Sequence, residues 1–163
     1  MHWTLHLLTF GFGYVYATAV EWSVHRFIFH GLGKRYKALS FHWAQHHRAV
    51  RQHEGGDPSY HSSVFSWSAH GREFWGVAVG LLLHTPLIPY LPGFFLGAMV
   101  VGLNYARIHR KSHVDPAWCQ RSLPWHWDHH MGKNPDANWC VTNEWFDKLM
   151  GTRELGPASK PEP

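Results

Sequence analysis

Between Glu73 and Arg107 the chain carries no charged residue. The run reads FWGVAVGLLLHTPLIPYLPGFFLGAMVVGLNYA and is interrupted by Pro86, Pro89 and Pro92. Proline lacks a helix donor and clashes with the preceding turn. The run therefore predicts two apolar helices joined at a proline-broken tip. A second apolar stretch, Trp3 to Trp22, holds a single charge, Glu21. Crossing a hydrocarbon core takes about 20 apolar helical residues, so one crossing is expected from the first stretch and a hairpin from the second.

The basic residues point the same way. All 15 Lys and Arg lie in Arg26–Arg72, in Arg107–Arg153 or at Lys160. Under the positive-inside rule both basic segments belong on the cytoplasmic side. The expectation is an all-α integral-membrane protein with about three membrane helices and a cytoplasmic helical cap. The start lacks the basic region of a cleaved signal peptide, which favours a retained anchor. The net charge of +4 reads as a cytoplasmic membrane face. No basic stripe is interleaved with aromatics, so nucleic acid is excluded as a partner.

One domain is expected over 1–152, with a Pro-rich disordered tail at 153–163. Within the domain, a helix is predicted around Ser40 to His53 and a turn at Gly55-Gly56-Asp57-Pro58. The second hairpin helix should run on to His113 and lead into a cap over 109–150. Cys119 and Cys140 form no CxxC pair and read as free, reduced thiols.

Histidine is the compositional outlier, with 16 in 163 residues. Ten of them fall in four clusters: His25 and His30 (HRFIFH), His42, His46 and His47 (HWAQHH), His109 and His113 (HRKSH), and His126, His129 and His130 (HWDHH). Helical residues three or four apart share a face. His42 can thus converge with His46, His109 with His113, and His126 with His129 or His130. On an α-helix His47 lies well away from His42, so one cluster can feed two neighbouring sites. His25 and His30 share no ideal face, so they serve different metals or the helix ends between them. The topology brings all four clusters to one membrane face. Neutral imidazole suits Zn, Cu, Fe and Ni, and ten ligands suit two ions rather than one.

These boxes, split by an apolar hairpin, resemble the fatty acid hydroxylase superfamily of integral-membrane di-metal oxygenases over roughly His25 to Thr152. The ending NWCVTNEWFDKLMGT is similar to the family's closing stretch, although Phe146 stands between Trp145 and Asp147. EWSVHRFIFH looks closest to the fatty acid 2-hydroxylase and sterol-desaturase members. The short chain resembles bacterial carotenoid hydroxylases, but Arg110 stands where those carry Asp. The resemblance implies that all ten clustered histidines bind two iron ions, with zinc possible in a purified sample. It also implies O2 as co-substrate and hydroxylation of an unactivated C–H in a lipid, foremost a fatty acyl chain. No catalytic residue beyond the ligands is implied.

The related alternatives are a carotenoid hydroxylase and a sterol or lipid desaturase. Electrons would come from a separate ferredoxin-like or cytochrome b5-like protein. Asp128, Asp147, Glu21 and Asp115 are candidates to hold the histidine N–H groups. Trp43, Trp67, Trp125, Trp127 and Trp139 either line a substrate groove or form an interfacial belt. A different class, a histidine-rich membrane protein that binds or transports zinc or copper, would need polar residues along the hairpin, and only His84 is present. A zinc hydrolase of the HExxH type is excluded because the motif is absent.

Overall fold

The structure, a computed structural model, describes residues 2–156 and 158. Every regular element among the described residues is helical. Helix α1 (His2–Ser23) continues without a break into a π-helix, Val24–Leu32. A second π-helix, Phe41–His46, leads into α2 (His47–Gln52). Next come α3 (Ala69–His84) and α4 (Pro92–Val114), joined by a 3-10 turn at Thr85–Leu87. The cap holds α5 (Pro116–Ser122), α6 (Pro124–Met131) and α7 (Trp145–Leu149).

Local chemistry explains the boundaries. The Ser68 hydroxyl accepts from Gly71 N at 3.2 Å and caps α3. Asp115 accepts from Trp118 N at 3.0 Å and caps α5. Pro92, Pro116 and Pro124 stand in the first turn of their helices, where a missing N–H costs nothing. Helices α1 and α4 form the most extensive pair. They cross backbone to backbone at Gly13 and Gly97. A Cβ at Gly13 would meet Phe94 O at 2.1 Å, and one at Gly97 would meet Phe10 O at 2.2 Å.

The expectation of about three membrane helices is overturned. Among the described residues, no helix is long and apolar enough to cross a membrane. Helix α3 has 16 residues, about 24 Å of rise against a hydrocarbon core of about 30 Å, and Arg72 and Glu73 occupy its first turns. The last turns of α4 carry Arg107, Arg110, Lys111 and two histidines. Polar residues dilute α1 throughout: His6, Thr9, Thr18 and Glu21. The inferred integral-membrane location, with its site on the cytoplasmic face, falls with the spans. The apolar side chains that suggested them, such as Leu7, Phe12, Leu82, Leu83 and Leu103, are exposed on α1, α3 and α4.

Trp22, Trp139, Cys140 and Phe146 pack together where α1 meets the cap. Part of the expected tail is bonded to the cap. Asp128 accepts from Gly156 N at 3.0 Å and Ala158 N at 2.9 Å, and Glu154 N donates to Asn138 Oδ1 at 2.8 Å. The rest of that tail, 157 and 159–163, lies outside the described residues.

Candidate metal centre

The ten clustered histidines meet in the interior, each at most 5% exposed. They sort into two abutting groups. His25, His30, His42, His47 and His129 form one, and His46, His109, His113 and His130 form the other; within each group the ligand atoms lie within 4.8 Å of one another. His126 stands at the edge of the second group, its Nε2 3.2 Å from His113 Nε2. The rings of His47 and His130 touch across the seam, with centroids 4.3 Å apart.

The π-helices account for this sorting. Their hydrogen bonds run from i to i+5, so residues five apart stack on one face. His25 and His30 are five apart, as are His42 and His47, and each pair lies on or at the end of a π-segment. The two pairs then face each other rung to rung. His25 Nε2 lies 2.9 Å from His42 Nε2, and His30 Nε2 lies 3.0 Å from His47 Nε2. Neither reading offered for His25 and His30 holds, because the helix continues and both join the first group. His47 joins His42 there, against the α-helical expectation, while His46 turns to the second group. On α6, His129 enters the first group and His130 the second.

Seven of the ten rings have Nδ1 held by a fixed acceptor. His25 Nδ1–H donates to Trp139 O at 2.5 Å, His129 to Ala137 O at 2.7 Å and His113 to Gly55 O at 3.1 Å. His46 donates to Asp57 at 2.8 Å and His30 to Asp136 at 3.3 Å. Glu73 serves both groups, accepting from His42 at 2.8 Å and from His109 at 2.9 Å. The Tyr60 hydroxyl also donates to Glu73, at 2.5 Å. The backbone is shaped to supply these carbonyls. Asn138, between Ala137 and Trp139, has φ 58°, and Gly55 has φ 100°, a region that disfavours most side chains.

A proton fixed on Nδ1 leaves a lone pair on Nε2. The lone pairs of His25 and His42 therefore confront each other at 2.9 Å, and three further Nε2–Nε2 contacts, His30–His47, His129–His47 and His126–His113, close to 3.0–3.2 Å. Further buried nitrogens have no partner: Nε2 of His46 and His109, Nδ1 of His47 and His126, and both ring nitrogens of His130. Each such atom costs about 1–3 kcal/mol. A cation resolves both problems. An ion held at about 2.1 Å by imidazole with ligands near right angles spaces their nitrogens about 3.0 Å apart, as observed. The residues present fit metal ions, and the buried clusters could hold them.

Burial, reinforced by neighbouring imidazoles, holds His25, His46, His47, His113, His126 and His130 well below the ordinary histidine range. Burial chiefly lowers His129 to about 3. Burial pushes the Glu73 carboxyl up, but His109 and His42 outweigh it and hold Glu73 well below the carboxylate range. The sign of the pH effect follows. Below an unfolded histidine pKa of about 6.5 the unfolded chain takes up protons that the folded chain refuses. Stability is full above about pH 6.5 and falls as pH drops, by up to about 1.4 kcal/mol per pH unit per imidazole. Several such groups exceed a typical stability of about 5–15 kcal/mol. In the presence of chelator, cooperative unfolding is expected by about pH 5. Urea midpoints measured across this range check it, and an unchanged midpoint from pH 7 to about pH 5 would contradict it.

The other sequence candidates lie further out. Asp147 accepts from Trp139 N and Cys140 N at 2.9 and 2.8 Å. Glu21 accepts from Val141 N and Thr142 N at 2.6 and 3.0 Å. Both brace the loop whose carbonyls hold His25 and His129. Asp115 caps α5, and Asp128 holds residues 156 and 158. The carboxylates on the imidazoles are Glu73, Asp57 and Asp136, none of them among the four expected. For Glu73 there was a signal: an acid at the edge of a long uncharged run. Trp43 and Trp139 pack on the histidines. Trp67 is exposed, and none of the five tryptophans lines the adjoining cavity.

That cavity, about 240 Å³, lies between α1 and α3 over α4 and reaches His25 and Glu73. No protein-family model, curated protein or solved structure matches the chain. The fold and site define a class by themselves: an all-α protein with two abutting buried polyhistidine groups beside an apolar cavity.

Proposed function

We propose that the protein is a di-iron oxygenase that hydroxylates an unactivated C–H of a lipid-like substrate, with electrons from a ferredoxin-like or cytochrome b5-like donor. The observation that carries this reading is the contact between the two histidine groups and an apolar cavity, made through His25 and Glu73. A pair of iron ions would supply O2 activation, in which two electrons and two protons leave one oxygen atom on carbon and the other in water.

The chain's own residues supply the rest. Fixed Nδ1 acceptors orient the rings. The apolar walls exclude water and place a C–H next to the metal groups. Tyr60 and Glu73 tie one ligand of each group together, so the two halves move as a unit. Exposed Arg110, Lys111, Arg121 and Lys133 around the cap suit an acidic donor. A structural zinc takes four ligands, and the first group already offers five. The histidine-box resemblance supports iron, and the cavity supports a substrate over metal storage.

Anaerobic purification and Mössbauer spectroscopy test the reading. A coupled di-iron signal is expected. Incubation with reductant, O2 and lipid extract should add about 16 mass units to one lipid class, the mass of the inserted oxygen atom. Tightly bound zinc without iron under those conditions would sink it.

A further inference from the structure

The cavity has two unlike ends. One is formed by His25 and Glu73. The other is formed by Tyr16 on α1 and His84 at the end of α3. Tyr16 OH and His84 Nε2 are 3.0 Å apart. His84 Nδ1–H donates to Gly80 O at 2.7 Å, so Nε2 is the acceptor and the phenol donates to it. The pair bridges the gap between α1 and α3.

The wall between the ends is built to stay open. Gly76 and Gly80 lie one turn apart in the interior of α3, where glycine costs about 1 kcal/mol relative to alanine. A Cβ at either would meet nothing within 4 Å, so no packing contact requires their smallness. The space they leave is the cavity. No Lys or Arg lines it.

The polar groups at the metal end are already engaged. Glu73 accepts from His42, His109 and Tyr60, and Glu21 is bonded to Val141 and Thr142. Tyr105, the other wall hydroxyl, packs its ring on His109 and belongs to that end.

We propose that the cavity takes a ligand with a long apolar body and one neutral hydroxyl or carbonyl group, that Tyr16 and His84 bind this group, and that the far apolar end lies against His25 and Glu73. A ligand hydroxyl can replace the phenol on His84 Nε2 while accepting from Tyr16. A carbonyl accepts from Tyr16 alone. A carboxylate finds no cation there: Tyr16 offers it one donor, and His84 Nε2 turns a lone pair towards its negative charge. Tyr16 and His25 are nine residues apart, about 14 Å of helical rise. An extended chain advances about 1.2 Å per bond, as the polypeptide does, so roughly twelve bonds separate the polar group from the metal end. That the apolar end is the one attacked rests on the proposed oxygenase function; the binding assignment does not.

Titration calorimetry on zinc-loaded protein tests it with dodecanol, dodecanone, dodecane and dodecanoate. Dodecanol and dodecanone should bind at least about tenfold more tightly than dodecanoate. Tyr16→Phe combined with His84→Phe should weaken dodecanol about fivefold, the net loss of one hydrogen bond, and leave dodecane unchanged. Gly80→Leu fills open space and should abolish binding of all four. Dodecanoate binding as tightly as dodecanol overturns the proposal. So does an unchanged dodecanol-to-dodecane ratio in the Tyr16→Phe, His84→Phe double variant, or undiminished binding in Gly80→Leu. The expected binding pattern without oxygen insertion by reduced iron-loaded protein would remove the oxygenase reading and leave the ligand site standing. Oxygen insertion with none of the binding preferences would do the reverse.

Discussion

Glu73→Ala is expected to empty both metal groups at once and to destabilise the fold by about 3–9 kcal/mol, about 1–3 for each buried donor left without an acceptor. One carboxylate receives His42 from the first group and His109 from the second, and it also receives Tyr60. Its removal leaves three buried donors without an acceptor. Glu73→Gln keeps the volume but offers one acceptor oxygen, so it can serve only one imidazole; a loss of about 1–3 kcal/mol is expected. Asp57 accepts from His46 and from Ser59 N but reaches no imidazole of the first group, so Asp57→Asn should affect only the second group. Metal stoichiometry and urea denaturation read these effects. Two ions retained in Glu73→Ala would show that the groups do not depend on this link.

The second large effect divides the centre instead of coupling it. His129→Ala should lose the ion of the first group and His130→Ala that of the second, because α6 sends these neighbours to different groups. Each loss should exceed about a hundredfold in affinity, the upper end for removing an outer-shell partner. Metal analysis after dialysis should give about one ion per chain in each variant, half of the pair proposed above, and oxygenase activity should vanish in both. A variant that keeps two ions would contradict the partition.

The four histidine clusters, the proline-broken hairpin and the run of its second helix on to His113 were all legible in the sequence. The assignment of His42, His46 and His47 was not, because α-helical spacing was the wrong ruler. In a π-turn the five-residue interval becomes the shared face. The signal was present twice, in His25–His30 and His42–His47, and the two pairs are separated by the same interval. The membrane reading failed because an uncharged run was taken for a spanning helix, whereas α3 is short and α4 spends its last turns on Arg107, Arg110 and Lys111. Asp57 and Asp136 sit in turns, where sequence alone gives an acid no address.

The segment Val24–Leu32 does two jobs. It presents His25 and His30 to the first metal group, and Val24 and Phe29 from the same wide turns line the cavity. An ion that fixes this turn therefore fixes part of the ligand's wall, and a ligand that fills the wall steadies the ion's ligands. Linkage makes such coupling reciprocal. Metal occupancy and ligand affinity are then two readings of one backbone state, and an ion-free chain is a poor reporter of what the cavity binds.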